Sequence, residues 1–333
     1  MKKQTKGSVF FQFFINSFII TSIILSIILG TTALAYTKLY IQPEELSTNI
    51  AAISTQVIPS GSFSTTSDLE DINKTVAILG TDAQGYRTDV ILIANYNSQT
   101  EQIDLISIPR DTRVEWTQSQ KNAMRKQNGF TMSVTKINEM SSYTGIENVD
   151  DYALSYIENL LGINIDNYVI VSLTAFREIV DAIGGVYIDV PIDMHYYDPI
   201  QGLEIDLKAG PQLLDGVKAE QFVRYRSMPE GDVDRIKMQQ LFLESFADKI
   251  LSPSIFFQLP QLVQILFSSV KTDITVTEAI QYIIDFGIDF DLSNLNFHTI
   301  PGKGQYIGYV SYFIPAMSEI EEFSKDIFFE HID

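Results

Sequence analysis

The sequence predicts an α/β fold: a single α-β-α domain with a mixed central sheet flanked by helices, set after an N-terminal transmembrane helix. Three observations predict it. Short apolar runs of strand character alternate with stretches of helical periodicity. Gly, Pro and capping residues punctuate the junctions. One long uncharged stretch precedes them all.

That stretch comes first. Gly7 to Thr37 holds no charged side chain, 31 residues between Lys6 and Lys38. As a helix it spans about 46 Å, more than the ~30 Å hydrocarbon core. Gln12 and Asn16 shorten the expected span towards Phe13 to Tyr36. Lys2, Lys3 and Lys6 precede it, which puts the N-terminus in the cytoplasm. The expected order is a cytoplasmic tail over 1–8, an anchor over 9–37, an extracellular linker over 38–74 and a folded domain over 75–330. Such a chain is a single-pass protein of the cell membrane with its domain outside. A cleaved leader is the alternative, since Ala33-Leu34-Ala35 has the form of a cleavage site. Eleven of residues 41–75 are Ser or Thr, the composition of a tether.

The folded part begins with Val76 to Gly80, a short apolar run that reads as a buried strand. Val90 to Tyr96 and Ile103 to Ile108 follow as a hairpin around Asn97-Ser98-Gln99-Thr100. Asp150 or Asp151 is expected to cap a helix carrying Leu154, Ile157, Leu160 and Leu161, stopped by Gly162. Tyr168 to Leu173 reads as a strand, and Thr174 as the cap of a helix ended by Gly184-Gly185. Val186 to Val190 is a strand stopped by Pro191. Asp215-Gly216 opens a short helix, and Phe222 to Arg226 reads as extended. A longer helix runs from Asp232 or Asp234 to about Leu251, with helical character again over Ile255 to Val270. Mixed signals follow Thr272.

Composition narrows the chemistry. Hydrophobic residues make up 45% and charged residues 20%, enough for a packed core. Cysteine is absent, which excludes a disulfide scaffold, a zinc-thiolate site and a cysteine nucleophile. The three histidines are scattered. Net charge is −19. Without the three lysines among residues 1–37, 20 basic side chains remain against 42 acids, a net of −22. Nucleic acid is therefore not an expected partner.

Three clusters carry candidate chemistry. Asp82 lies just past an apolar strand, with Arg87 and Asp89 two positions apart at the start of the next. Such strand ends are where α/β sheets bind ligands. Two carboxylates and an Arg suit a divalent ion with a phosphate. A surface loop with an ordinary ion pair fits the same spacing. Ser107-Ile108-Pro109-Arg110-Asp111-Thr112 also follows a strand and presents Arg110 at its edge. A strand-ending turn is the alternative, above all for Asp111. The third cluster is Arg224-Tyr225-Arg226 with Asp232, Arg235 and Gln239. In an extended segment Arg224 and Arg226 point one way and repel unless an anion bridges them. A solvated basic rim is the other reading. There is no Gly-x-Ser-x-Gly elbow and no Walker loop. The inventory fits phosphoryl transfer by clamping and metal rather than covalent catalysis.

From Val76 to about Ile250 the chain resembles the LytR–CpsA–Psr family. The resemblance rests on Gly80-Thr81-Asp82, Tyr86-Arg87-Thr88-Asp89, Ser107-Ile108-Pro109-Arg110-Asp111-Thr112 and Lys136-Ile137-Asn138. It continues through Val180-Asp181-Ala182-Ile183-Gly184-Gly185, Leu214-Asp215-Gly216, Val223-Arg224-Tyr225-Arg226 and Asp232…Arg235…Gln239. It implies a metal-dependent phosphotransferase in 75–330. Such an enzyme moves a glycopolymer from a polyprenyl-diphosphate carrier to a peptidoglycan sugar hydroxyl through a phosphodiester, usually with Mg²⁺. By the resemblance Asp82 and Asp89 hold the metal. Arg87, Arg110, Arg224 and Arg226 clamp the diphosphate, Arg235 and Gln239 line the site, and the lipid tail enters an apolar tunnel. Arg110, Asp89 and Arg87 are the expected catalytic group; the base is open among Asp89, Asp82 and Asp232, or the metal alone lowers the hydroxyl's pKa. Tyr86 stands where the family usually has Gly, and Met238 where a second Arg is common. Two other functions use the same residues: hydrolysis of the lipid-linked glycan, and binding of lipid phosphates without catalysis.

Overall fold

The computed structural model describes residues 73–329, apart from 200–201, 226–231 and most of 251–291. The expected tail, anchor and nearly all of the linker lie outside the described residues. Within them, no helix is long and apolar enough to cross a membrane.

In chain order the first elements are β1 (Asn73–Thr81), β2 (Thr88–Asn97), β3 (Gln102–Ser107), β4 (Arg113–Glu115), α1 (Gln118–Asn128), β5 (Val134–Lys136) and α2 (Met140–Thr144). Next come α3 (Ser155–Leu161), β6 (Asn167–Val171), α4 (Leu173–Ala182), β7 (Val186–Val190), β8 (Met194–Asp198), β9 (Leu203–Leu207) and β10 (Gly210–Leu214). The chain continues through α5 (Gly216–Arg224), α6 (Asp232–Ile250), β11 (Val270–Thr272), β12 (Leu295–Thr299), β13 (Gly302–Ile307), β14 (Val310–Pro315) and α7 (Met317–Phe328).

The central sheet has the order β11-β6-β1-β2-β3-β12. β1, β2 and β3 form an antiparallel meander, while β6 joins β1 and β12 joins β3 in parallel. The sheet is thus mixed, as expected, and flanked by helices. In β1 the alternate residues Ala77 and Leu79 are fully buried. They join Ile91, Ile93 and Ile106 beneath Ile157 and Leu161 of α3 and Ile320 of α7. The expected hairpin is β2–β3, with Ile93 opposite Ile106. A second apolar cluster gathers Val180 of α4, Ile188 of β7, Ile205 of β9, Phe222 of α5 and Phe242 of α6. Met238 is buried there too, so a hydrocarbon occupies a place where an Arg would need a buried partner.

Three expectations are corrected. The helix after β6 is capped by Ser172, not Thr174: its hydroxyl accepts from the Ala175 N–H at 3.1 Å. Neither Asp150 nor Asp151 caps α3; both lie in a π-turn, Asp150–Leu154, that leads into it without a side-chain cap. Phe222 to Arg224 is helical rather than extended. The Asp215 side chain accepts from the Lys218 N–H at 2.9 Å, and Ala219 and Phe222, three apart, are both buried. The chain becomes extended at Tyr225. The same-face argument for Arg224 and Arg226 therefore fails, and Arg226 lies outside the described residues.

Candidate functional site

The site begins with a bulge. β1 and β2 pair in register as far as Gly80 opposite Val90, and then Thr81 faces Thr88. Asp89 is the extra residue between them, and such an insertion turns a side chain out of the ladder. Gly80 permits the close approach: a Cβ there would sit 3.0 Å from the Val90 Cβ. The loop between the strands closes on Asp82. Its Oδ1 accepts from the Tyr86 N–H at 2.9 Å and the Arg87 N–H at 3.3 Å. Its Oδ2 faces Arg87 Nε at 3.3 Å.

Arg87 reaches a second carboxylate, with Nη2 3.8 Å from Asp89 Oδ2. Asp89 Oδ1 accepts from Arg110 Nη1 at 2.9 Å and from Asn138 Nδ2 at 3.2 Å. Burial opposes ionisation of Asp89, but the charges of Arg110 and Arg87 and the hydrogen bonds from Asn138 and Arg110 outweigh it. Its carboxyl titrates below the ordinary carboxylate range.

Arg110 is held by backbone as well as by charge. Asn138 N–H donates to the Arg110 carbonyl at 3.2 Å, and Ile137 N–H to the Thr112 carbonyl at 2.8 Å. Lys136 Nζ pairs with Asp111 Oδ1 at 3.2 Å. The segment Lys136–Asn138 is thus a strap over the Arg110 loop. The Lys136-Ile137-Asn138 motif by itself assigns Asn138 no role; its side chain belongs to the Asp89 site. Arg110 Nε and the hydroxyls of Thr81 and Thr88 are buried with no hydrogen-bond partner among the described residues. A cleft of about 400 Å³ opens beside this group, lined by Asp82, Gln84, Tyr86, Arg87 and Ser142. It is not the apolar tunnel expected for a lipid tail. Ser142 donates to the Tyr86 carbonyl at 3.0 Å, a contact no motif signalled.

The structure therefore unites Asp82, Arg87, Asp89 and Arg110. Arg224 stands in a different group: it pairs with buried Glu220 at 2.6 Å, and Arg177 pairs with the same carboxylate at 3.4 Å. Arg235 is buried in α6, and Gln239 Nε2 reaches the Val223 carbonyl at 3.5 Å. Among the described residues no three acids or histidines cluster as a metal-binding group.

A model of the LytR_cpsA_psr family matches residues 36–328. Polyisoprenyl-teichoic acid–peptidoglycan teichoic acid transferase TagV of Bacillus subtilis is 29% identical over 259 residues, 76% of this chain and 62% of that protein. Regulatory protein MsrR of Staphylococcus aureus is 28% identical over 238 residues, 69% of this chain and 65% of its own. The matched region spans less than two thirds of these relatives' length. The crystal structure of Bacillus subtilis TagV superposes with a TM-score of 0.64 at 25% identity, covering 78% of this chain and 96% of that one. A structure of TagT bound to LI-WTA gives 0.58 at 21% identity, covering 80% and 93%, a likeness of fold.

Proposed function

This chain belongs to the LytR_cpsA_psr family, and from that premise we propose that it is a membrane-anchored glycopolymer transferase. It takes a glycopolymer from a polyprenyl-diphosphate carrier and joins it to a peptidoglycan sugar hydroxyl through a phosphodiester. One observation carries the reading: Arg87 and Arg110 converge on Asp89 in a domain that is otherwise strongly acidic. The name of the relative TagV, a teichoic acid transferase, agrees with it.

The acceptor hydroxyl attacks the glycan-bearing phosphorus, and the P–O bond between the two phosphates breaks. The polyprenyl monophosphate leaves with the added negative charge, while the glycan keeps its phosphate in the new phosphodiester. Each Arg–phosphate contact at about 4 Å gains roughly 4 kcal/mol at an effective dielectric near 20, before desolvation. Arg110 is placed for this. It is largely buried, its Nη1 is committed to Asp89, and its Nε, 3.8 Å from Asp111 Oδ1, has no hydrogen-bond partner among the described residues. A phosphate oxygen accepting from Nε would satisfy that donor, and the Thr81 and Thr88 hydroxyls offer two more. Asp89 stays ionised at neutral pH and so fixes both guanidiniums. Arg224 is proposed as a further phosphate contact at the end of α5, and Arg235 and Gln239 of α6 as residues lining the site; the same role is proposed for Arg226 from the sequence alone.

The residues fit a Mg²⁺ ion. Asp82 Oδ2 and Asp89 Oδ2 face one guanidinium, so a single cationic group already serves both. Mg²⁺ is content with one or two carboxylates plus phosphate and water. Asp82 and Asp89 would hold it, and it would neutralise phosphate charge and lower the acceptor hydroxyl's pKa.

The test incubates the full chain with a polyprenyl-diphosphate-linked glycan and peptidoglycan oligomers, with and without Mg²⁺, and follows products by mass spectrometry. A Mg²⁺-dependent glycan–phosphate–peptidoglycan adduct is expected. Free glycan phosphate alone would replace transfer by hydrolysis, and intact retained substrate would replace it by binding.

A further inference from the structure

The hairpin β13–β14 ends in a two-residue turn, Gly308-Tyr309, between paired Ile307 and Val310. Its tip is apolar and bare. Tyr309 is fully exposed, Tyr306 is 73% exposed, and Ile307 and Val310 are each 44% exposed. A soluble fold rarely leaves two tyrosines and two β-branched residues together in water. The charge around the tip is also unusual. From Leu292 to Ser318 there is no Asp or Glu, in a chain that carries 42 acids in 333 residues. The hairpin's own charged side chain is Lys303.

The hairpin is rooted at the site. Phe313 N–H donates to the Asp111 carbonyl at 2.9 Å, Thr112 bridges to Phe313, and Lys136 Nζ lies 6.0 Å from the Tyr312 ring. The hairpin and the Arg110 loop are therefore tied by backbone contacts.

We infer that the tip Tyr306-Ile307-Gly308-Tyr309-Val310 docks into the interface of a lipid bilayer and holds the Arg110 loop at a fixed distance above it. Tyr side chains favour the headgroup level, and neighbouring aliphatic groups favour the acyl boundary beneath. The acid-free hairpin is the part of a net-negative domain that an anionic membrane would not repel. By sequence the domain follows an anchor expected over 9–37, so a bilayer is the surface to which it is tethered. A glycan is the less fitting partner. Sugar platforms pair aromatic rings with hydrogen-bonding carboxylates or amides, whereas here aliphatic Ile307 and Val310 flank the tyrosines. The inference rests on the membrane-anchored reading above.

Trp116 is the chain's single tryptophan and is buried in the core, so it serves as an internal reference. The Y309W variant of the full chain is mixed with vesicles of phosphatidylglycerol and phosphatidylcholine bearing brominated acyl chains. Flotation with the vesicles reports anchoring, and quenching of the emission added by Y309W reports docking. At least a twofold loss of that added emission is expected, with wild-type emission unchanged. Flotation without quenching overturns the docking and leaves the anchor standing. Failure to float overturns both. Quenching absent from vesicles but an emission shift with peptidoglycan fragments would assign the tip to glycan instead.

Discussion

Arg110 Nη1 donates to Asp89 Oδ1 at 2.9 Å, joining the turn after β3 to the bulge that opens β2. Asn138, from a third segment, donates to the same oxygen at 3.2 Å. Three motifs separated in sequence thus end on one carboxylate oxygen. Each partner restricts the others, so the guanidinium that would meet a phosphate is held in place before any substrate arrives.

Replacing Arg110 with Ala is expected to lower transfer by about a hundredfold or more, the scale of losing one preorganised charge-stabilising donor. Asp89 keeps Arg87 and Asn138, so the fold survives. Steady-state kinetics beside far-ultraviolet circular dichroism would check this. Near-wild-type turnover in R110A would remove Arg110 from the reaction.

Asp89 predicts a pH dependence with a definite sign. Its folded carboxyl titrates below its unfolded value of about 3.9. Its contribution to stability is therefore complete above that value and is lost as pH falls through the lower, folded one. D89N should be less stable than wild type at neutral pH by about 1–2 kcal/mol, since the partner guanidiniums lose their counter-charge. The gap should stay constant down to about pH 5 and close in strong acid. Urea titrations of both proteins across that range would show it; a gap that widens on acidification contradicts the assignment.

Gly216 shows why the Leu214-Asp215-Gly216 motif has the form it does. Asp215 caps α5, and the Gly216 N–H donates to Asp181 Oδ1 at 2.7 Å. A Cβ on Gly216 would lie 2.4 Å from the Arg177 carbonyl oxygen and 2.7 Å from its Cα, both backbone atoms that cannot yield. G216A is expected to cost about 2 kcal/mol or more by overpacking α5 against α4. A thermal melt unchanged from wild type would mean that the two helices can separate without loss.

Much of this was legible in the sequence, and the reason differs from place to place. β1, β2 and β3 were readable because apolar runs bounded by Gly, Asn and Pro have few alternatives. Asp82, Arg87 and Asp89 were readable as one cluster and Arg110 as a second, because each follows or precedes a strand end; the family resemblance alone joined the two. The bulge at Asp89 was not, because register is decided by the partner strand and leaves no mark in local composition. Asn138 acts through a long-range contact with no periodic signature. The helical state of Phe222 to Arg224 was hidden by residues that suit strands in isolation; the cap at Asp215 and the packing of Ala219 and Phe222 overrode that preference. β13–β14 was masked by the mixed signals after Thr272.

Glu220 provides the last prediction. It is buried and accepts from Arg224 Nη1 at 2.6 Å while lying 3.4 Å from Arg177 Nε. One carboxylate therefore ties the end of α5 to α4. Truncation in E220A leaves two guanidiniums without this counter-charge, one of them half exposed, so the cost is expected at about 2 kcal/mol rather than the larger figure for a fully buried pair. E220Q keeps an acceptor and should lose less than E220A. If Arg224 is held for a phosphate by Glu220, E220Q should also raise KM for the lipid-linked donor while kcat moves little, since the Asp89–Arg110 pair is untouched. A fall in kcat with KM unchanged would instead place Arg224 among the groups that act on the transition state.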